Sequence, residues 1–260
     1  MTELRHREMV DRLKINFHDG DHLFVYGPPR CGKTMLLNGL AEELSPHVLL
    51  LDMDKSADRL LFDNDLDDLF VRMAENNYSE EQQYFLLIDN SQYFAGLIPL
   101  CEKLTSNIQC IFCSDNREDA FDGENVLLNN VRIFRLGTLN FREYLHFYDK
   151  DELVVYLPDE ALALQELPKQ SVMDELEEMY KKFLIYGGFP ETVGLKEDKI
   201  VSSYFPEMVL PRLQKNLPES YGIRKKKAFY TFIIYLAQIQ GHVFNESGAA
   251  RDLGHRFETL

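Results

Sequence analysis

The chain predicts an α/β fold: a five-stranded, mainly parallel sheet wound with helices, followed by a mostly helical half. Three observations carry this expectation. Short apolar runs alternate with stretches of helical spacing, the runs close on carboxylates or small polar residues, and no comparable strand pattern recurs beyond residue 140.

Residues 1–20 read as an amphipathic helix bearing Met9, Val10, Leu13 and Ile15, which leads through Asp19-Gly20-Asp21 into a first strand, His22-Leu23-Phe24-Val25-Tyr26. A tight turn follows, and helical apolar spacing resumes over Met35 to Ala41. Ser45-Pro46 stops that helix, so His47 to Asp52 is the second strand, and the β-α-β order makes the two parallel. After the acidic stretch Asp63 to Asp68, a helical pattern runs through Leu69, Val71 and Met73. The third run, Tyr84-Phe85-Leu86-Leu87-Ile88, ends in Asp89-Asn90, as a strand buried on both faces beside a ligand should. Ile108 to Asn116 is a fourth strand with a small, polar end, and Val131 to Leu136 a fifth. Strands and helices in alternation predict a doubly wound sheet with its ligand at the strand C-termini. Phe141 opens the helical half, Gly187-Gly188-Phe189-Pro190 breaks it, and helix-like segments follow at 200–214 and 225–240. The expected division is 1–139, 140–222 and 223–260.

The chain has 260 residues, 45% of them apolar, enough for a closed core. Asp and Glu number 43 against 28 Lys and Arg, a formal charge of −15, so the chain as a whole repels phosphate polymers and any DNA contact must be local. No secretory leader pattern is visible, and the most apolar late stretch, Phe229 to Ile239, is too short and too polar to span a bilayer. The cytosol is the expected location, with no membrane partner. Four cysteines, Cys31, Cys101, Cys110 and Cys113, do not form a secreted disulfide framework. Cys110 and Cys113 lie three apart on a strand and so point to opposite faces, which disfavours a shared metal.

Gly27-Pro28-Pro29-Arg30-Cys31-Gly32-Lys33-Thr34 fits GxxxxGKT between a strand and a helix. Such a turn aims backbone N–H groups at an anion beside the positive end of a helix dipole. Pro28 and Pro29 lack N–H donors but stand where the turn begins, and Arg30 through Met35 keep theirs. Gly27 to Met35 are therefore the candidate nucleotide-binding residues. Lys33 would reach the β/γ-phosphates and the Thr34 hydroxyl would ligate Mg²⁺. Asp89, 55 residues after Thr34, is the candidate second metal residue. Ser114 or Asn116, at the end of the neighbouring strand, is placed to bond the γ-phosphate or the attacking water.

Taken together, several segments resemble the AAA-like ATPase family of archaea and bacteria that joins a P-loop domain to a winged helix and a C-terminal nuclease-like domain. They are Gly27 to Thr34, Leu87-Ile88-Asp89 with Gln92, Ile111 to Asn116, Leu139-Asn140-Phe141-Arg142-Glu143-Tyr144, Tyr186-Gly187-Gly188-Phe189-Pro190-Glu191, and Leu236 to Gly241 with Asn245. The resemblance implies a P-loop NTPase of the ASCE/AAA-like type, ATP and Mg²⁺ as cofactors, and hydrolysis, with a C-terminal winged helix that is either truncated or an incomplete module. Lys225 to Gln240 and Ser247 to Gly254 resemble the first two helices of a winged helix, with Arg224-Lys225-Lys226-Lys227 as a cationic cluster suited to DNA phosphates.

Two departures from the family stand out. It carries Asp-Glu where this chain has Asp89-Asn90, and an amide cannot take a proton from water as a carboxylate does. Asn90 can still position water, which predicts slow turnover. The family also tends to carry Gly-Arg before its fifth strand, where this chain has Asn129-Asn130, leaving Arg132 or Arg135 as substitutes. The sequence thus predicts an ATP-binding switch with slow hydrolysis through Lys33, Asn90 and Ser114. The alternative is a nucleotide-dependent interaction module without turnover. A protein partner, an oligomer and local DNA contact are each compatible with it. The guanine-reading Asn-Lys-x-Asp motif is missing, and adenine is the expected base by resemblance.

Overall fold

The computed structural model describes residues 7–254 apart from 18–19, 64–65, 95–96, 118–129, 158–167, 194, 196–202, 212–213, 215–217 and 219–221. They divide into two compact units, Met1–Leu195 and Lys196–Leu260. Asn129 and residues 200–202 and 212–213 of the segment expected to be helical at 200–214 lie outside the described residues.

Helix α1 (Glu8–Lys14) precedes β1 (His22–Tyr26), and α2 (Lys33–Leu44) follows the phosphate-type turn. Strand β2 (Val48–Asp52) leads to α3 (Ser56–Arg59) and α4 (Asp67–Glu75); β3 (Tyr84–Asp89) leads to α5 (Leu97–Lys103); β4 (Ile108–Ser114) and β5 (Val131–Arg135) complete the sheet. The strands run parallel in the order β2-β3-β4-β1-β5, with Leu23 opposite Ile111, Tyr84 opposite Ile108 and Asp52 opposite Asp89. The five strands expected from sequence are present within a residue or two at each end, and all are parallel. Ile15, expected on the apolar face of the first helix, lies beyond α1 and is exposed.

Each strand is apolar on both sides because the sheet has a core on each face. Phe24, Leu49, Leu51, Leu86, Ile88, Cys110 and Phe112 face Leu69, Met73 and Leu100 from α4 and α5. Leu23, Val25, Phe85, Leu87, Ile111 and Cys113 face Met9 and Leu13 of α1 and Leu36, Leu37 and Leu40 of α2. Cys110 and Cys113 therefore sit in different cores, and burial pushes both thiols well above their ordinary value.

After the sheet, α6 (Phe141–Phe147), α7 (Asp151–Val154) and α8 (Gln170–Tyr186) enclose a third apolar cluster around Leu139, Tyr144, Leu145, Leu153 and Met179. Asn140 and Glu143 form a reciprocal capping box at the start of α6, satisfying two amides that the helix cannot. In the second unit, α9 (Lys226–Gln238) and α10 (Glu246–Asp252) occupy the stretch likened to a winged helix, with the Asn245 side chain capping α10. Among the described residues no helix is long and apolar enough to cross a membrane.

Candidate functional site

The turn after β1 is pinned between the ends of its neighbours. Gly27 N donates to Ser114 O (3.1 Å), and Leu136 N donates to Tyr26 O (2.8 Å). A Cβ at Gly27 would lie 2.1 Å from Leu136 O, so no other residue fits there. Arg30 and Gly32 take positive φ (65° and 100°), turning the chain back so that α2 begins at Lys33. The amides of Lys33, Thr34 and Met35 then stand in the first helical turn, where helix geometry supplies no internal acceptor. Cys31 is buried; desolvation raises its thiol pKa, with Lys33 and Arg7 pulling the other way.

Lys33 folds its side chain back over the turn. The buried Nζ donates to Gly27 O (2.9 Å), to Pro28 O (3.0 Å) and to Asp115 Oδ1 (2.7 Å). At the next residue, Thr34 Oγ1 donates to Asp89 Oδ2 at 2.6 Å, joining the two candidate metal residues across 55 positions of sequence. Burial is the main reason the Asp89 carboxyl is raised from its ordinary value, against the lowering effect of the Thr34 hydroxyl and the Asn90 amide. A cation would remove the cost of burying that charge. Two hard oxygens, an ammonium and a helix N-terminus within one turn are the donor set that a triphosphate with Mg²⁺ requires, so these residues fit the pair.

Asn90 follows in a left-handed conformation (φ 54°). Its N–H donates to Asp89 Oδ1 (2.9 Å), its Nδ2 donates to Asp52 Oδ1 (2.9 Å), and its Oδ1 accepts from Gln92 Nε2 (3.3 Å). Burial pushes Asp52 up, but the Asn90 and Asp54 amides and the Lys55 charge outweigh it and hold the carboxyl below its ordinary value. Ser114 is fully buried and its Oγ accepts from Asn116 N (3.1 Å); the next residue, Asp115, is the one that reaches Lys33. Arg132 bonds Asp21 at 2.6 Å at the start of β5, opposite Leu23 and on the edge of the sheet away from the turn. Arg135, opposite Tyr26, is on the edge that carries the site.

The turn is also bound to the segments that follow the sheet. Arg7, buried, donates from Nη1 to Cys31 O (2.8 Å), from Nη2 to Gly137 O (2.9 Å) and from Nε to Glu143 Oε1 (3.0 Å). Arg30 is ion-paired with Glu191, and Pro190 Cγ lies 3.0 Å from where a Gly32 Cβ would stand. Leu139 N donates to Gly188 O at 2.7 Å, and a Cβ on Gly188 would lie 2.2 Å from Leu139 O. Three short motifs, Gly27 to Thr34, Leu139 to Tyr144 and Gly187 to Glu191, thus meet at one place. Asp52, Asp115, Arg7 and Glu191 are the site residues that sequence reasoning missed. Each is a charged side chain whose partner is supplied by a distant segment, and only Asp115 and Glu191 lay inside quoted motifs.

Residues 19–145 match the AAA domain family. No curated protein sequence matches the chain. Among solved structures, C. elegans PCH-2 is 15% identical over 79% of this chain and 66% of that chain, with a TM-score of 0.43. Drosophila ORC bound to DNA is 16% identical over 51% of this chain and 89% of that one, with a TM-score of 0.36. The chain thus spans slightly less than two thirds of the PCH-2 chain. The family match supports a nucleotide-binding, ATPase-like function. Over residues 19–145, from before the phosphate-type turn into α6, the chain is similar to the AAA domain family, and its parallel five-stranded sheet is that of an AAA-like P-loop fold.

Proposed function

We infer that the chain binds ATP with Mg²⁺ at Gly27 to Met35 and hydrolyses it slowly. The observation that carries this reading is the 2.6 Å contact of Thr34 with Asp89 beside an ammonium curled over the loop carbonyls. On this reading Lys33 leaves Gly27 O and Pro28 O for the β/γ-phosphates, the loop amides hold the same oxygens, and Thr34 and Asp89 hold the metal. When bound, Mg²⁺ would neutralise charge on the β- and γ-phosphate oxygens. Asn90, an amide where the family has a carboxylate, supports slow turnover, and Ser114 would act on the γ-phosphate only through the end of β4. Because Arg30 and Arg7 tie the loop to Glu191 and Glu143, occupancy of the loop would alter the posture of the helices that follow.

The alternative, a nucleotide-dependent interaction module without turnover, is favoured by the same amide at position 90. In both readings the output goes to a protein partner or to further copies of the chain in the cytosol. The cluster Arg224 to Lys227 at the start of α9, in a partial winged helix, offers local contact to DNA. The segments 1–139, 140–222 and 223–260 are the corresponding working parts. Titration calorimetry with ATP-Mg²⁺ and a phosphate-release assay test the readings together. Lys33→Ala should weaken binding at least about tenfold, the order of one lost charge-assisted contact. Unchanged affinity would overturn nucleotide binding at this loop, and binding without phosphate release selects the interaction module.

A further inference from the structure

We propose that Asp52, at the end of β2, supplies the carboxylate that takes the proton of the attacking water, and that Asn90 holds it in place for that step. The inference rests on the reading of the site as an ATPase and deepens it.

Strand register puts Asp52 directly opposite Asp89, so the two strand ends stand side by side. The backbone there is fixed, with Met53 N donating to Asp89 O (3.0 Å) and Asp52 N donating to Asp58 Oδ2 (2.8 Å). Asn90 Nδ2 reaches across the gap to Asp52 Oδ1 at 2.9 Å. A carboxylate and an amide therefore form a hydrogen-bonded pair beside the metal residues, with the carboxylate on β2 and the amide on β3. The amide at position 90 is not a simple loss of the acid, because an acid stands at its fingertip.

The other carboxylates of this edge are committed. Asp89 is buried and accepts from Thr34, and Asp115 is paired with Lys33. Asp52 differs in two ways. Its side chain is 29% exposed, open to a water molecule, whereas Asp89 is 3% exposed. Both groups that bond its Oδ1, the Asn90 and Asp54 amides, are neutral donors that orient the carboxylate without consuming its charge. Oδ2 pairs at 3.6 Å with Lys55, an exposed ammonium on the same segment.

The step balances without a further reagent. The water oxygen bonds the γ-phosphorus as the bond from that phosphorus to the β–γ bridging oxygen breaks, the bridging oxygen keeps the electron pair as ADP leaves, and the water proton passes to Asp52 Oδ2 and on to solvent. Asn90 acts as a positioning residue for Asp52.

The pair makes a reciprocal test, because the carboxylate and the amide can exchange strands. Full-length parent, Asp52→Asn, Asn90→Glu and the Asp52→Asn/Asn90→Glu double variant are compared for ATP-Mg²⁺ affinity by calorimetry and for kcat by phosphate release. Asp52→Asn should bind nucleotide as the parent does and lose about a hundredfold in kcat. Asn90→Glu alone should not raise kcat, because its carboxylate repels Asp52. The double variant rebuilds the pair in reverse, with the carboxylate on β3, and should recover at least about a tenth of the parental kcat, while the loss in Asp52→Asn at unchanged affinity is what separates a proton-accepting from a merely structural Asp52. A parental kcat in Asp52→Asn, or a double variant as slow as Asp52→Asn, overturns the proposal. If Asp52→Asn does not fold, Asp52→Ser, which keeps an acceptor for the Asn90 amide and removes the carboxylate, is measured in its place and should show the same loss in kcat. A parent that binds ATP-Mg²⁺ but releases no phosphate overturns the role of Asp52 and leaves nucleotide binding standing, whereas a parent that does not bind removes the site reading itself.

Discussion

Lys33 and Asp115 form a 2.7 Å ion pair at the phosphate-type turn, the ammonium also held by the carbonyls of Gly27 and Pro28. The cation expected to meet a triphosphate is thus already occupied. A polyanion must take the ammonium from a carboxylate, and that carboxylate repels it on arrival.

Asp115→Asn removes the repulsion and keeps an acceptor for Lys33. A single charge interaction at this range and partial burial is worth about 1–2 kcal/mol, so ATP-Mg²⁺ affinity should rise about tenfold by calorimetry. An unchanged affinity would mean that Asp115 stays clear of the phosphates when nucleotide is bound.

The Arg30–Glu191 pair makes a second, weaker hold on the same turn, with Glu191 half exposed. Glu191→Gln should therefore cost less than about 1 kcal/mol of stability in a denaturant titration. It should also raise nucleotide affinity by about twofold to fivefold by returning Arg30 to the phosphate side. Affinity that falls would show that the pair shapes the loop for its ligand.

Arg7 carries a larger load. Its guanidinium satisfies the Cys31 and Gly137 carbonyls and the buried Glu143 carboxylate, which also accepts the amides of Glu8 and Asn140. Arg7→Ala leaves a buried charge and two carbonyls without that partner, and should cost about 3–5 kcal/mol in denaturant unfolding. A loss below about 1 kcal/mol would mean that water replaces the guanidinium at no cost.

These contacts explain what could be read in the chain and what could not. The strands were legible because a sheet covered on both faces demands unbroken apolar runs, as in Tyr84 to Ile88, and the turn because its glycines and Lys33 answer local requirements of backbone and charge. Thr34 and Asp89 were legible as a pair because each ends or begins an element at the same edge of the sheet. Asp52, Asp115 and Arg7 were not. Their significance lies in partners 38, 82 and 136 positions away, and an acid at a strand end or a base before a helix has no local signature that names its partner. The doubled glycine Gly187-Gly188 was visible, but that Gly188 abuts the Leu139 carbonyl follows only from the packing of the helical half on the sheet.

The buried imidazole of His22 gives the fold a dependence on pH separate from its ligand chemistry. His22 begins β1, and its Nδ1 accepts from Cys110 N at 3.1 Å, which only the neutral ring can do. Desolvation is the main cause of its lowered pKa, against the raising effects of a hydrogen bond to the Cys101 backbone and of the Asp21 charge. Above the ordinary value of 6.5 the ring is neutral in both folded and unfolded chains, and its favourable contact is fully present. As pH falls below 6.5, the unfolded chain takes up a proton that the folded chain resists, so stability is lost until the lowered folded value is passed. The slope cannot exceed about 1.4 kcal/mol per pH unit for one proton. His22→Asn keeps an acceptor near the Cys110 amide and carries no titrating group. Denaturant unfolding of parent and variant from pH 7.5 to 5 should show the parent losing more stability on acidification, with the two curves most nearly parallel above pH 7. Curves that stay parallel down to pH 5 would mean that the imidazole gains its proton in the folded chain as readily as in the unfolded one.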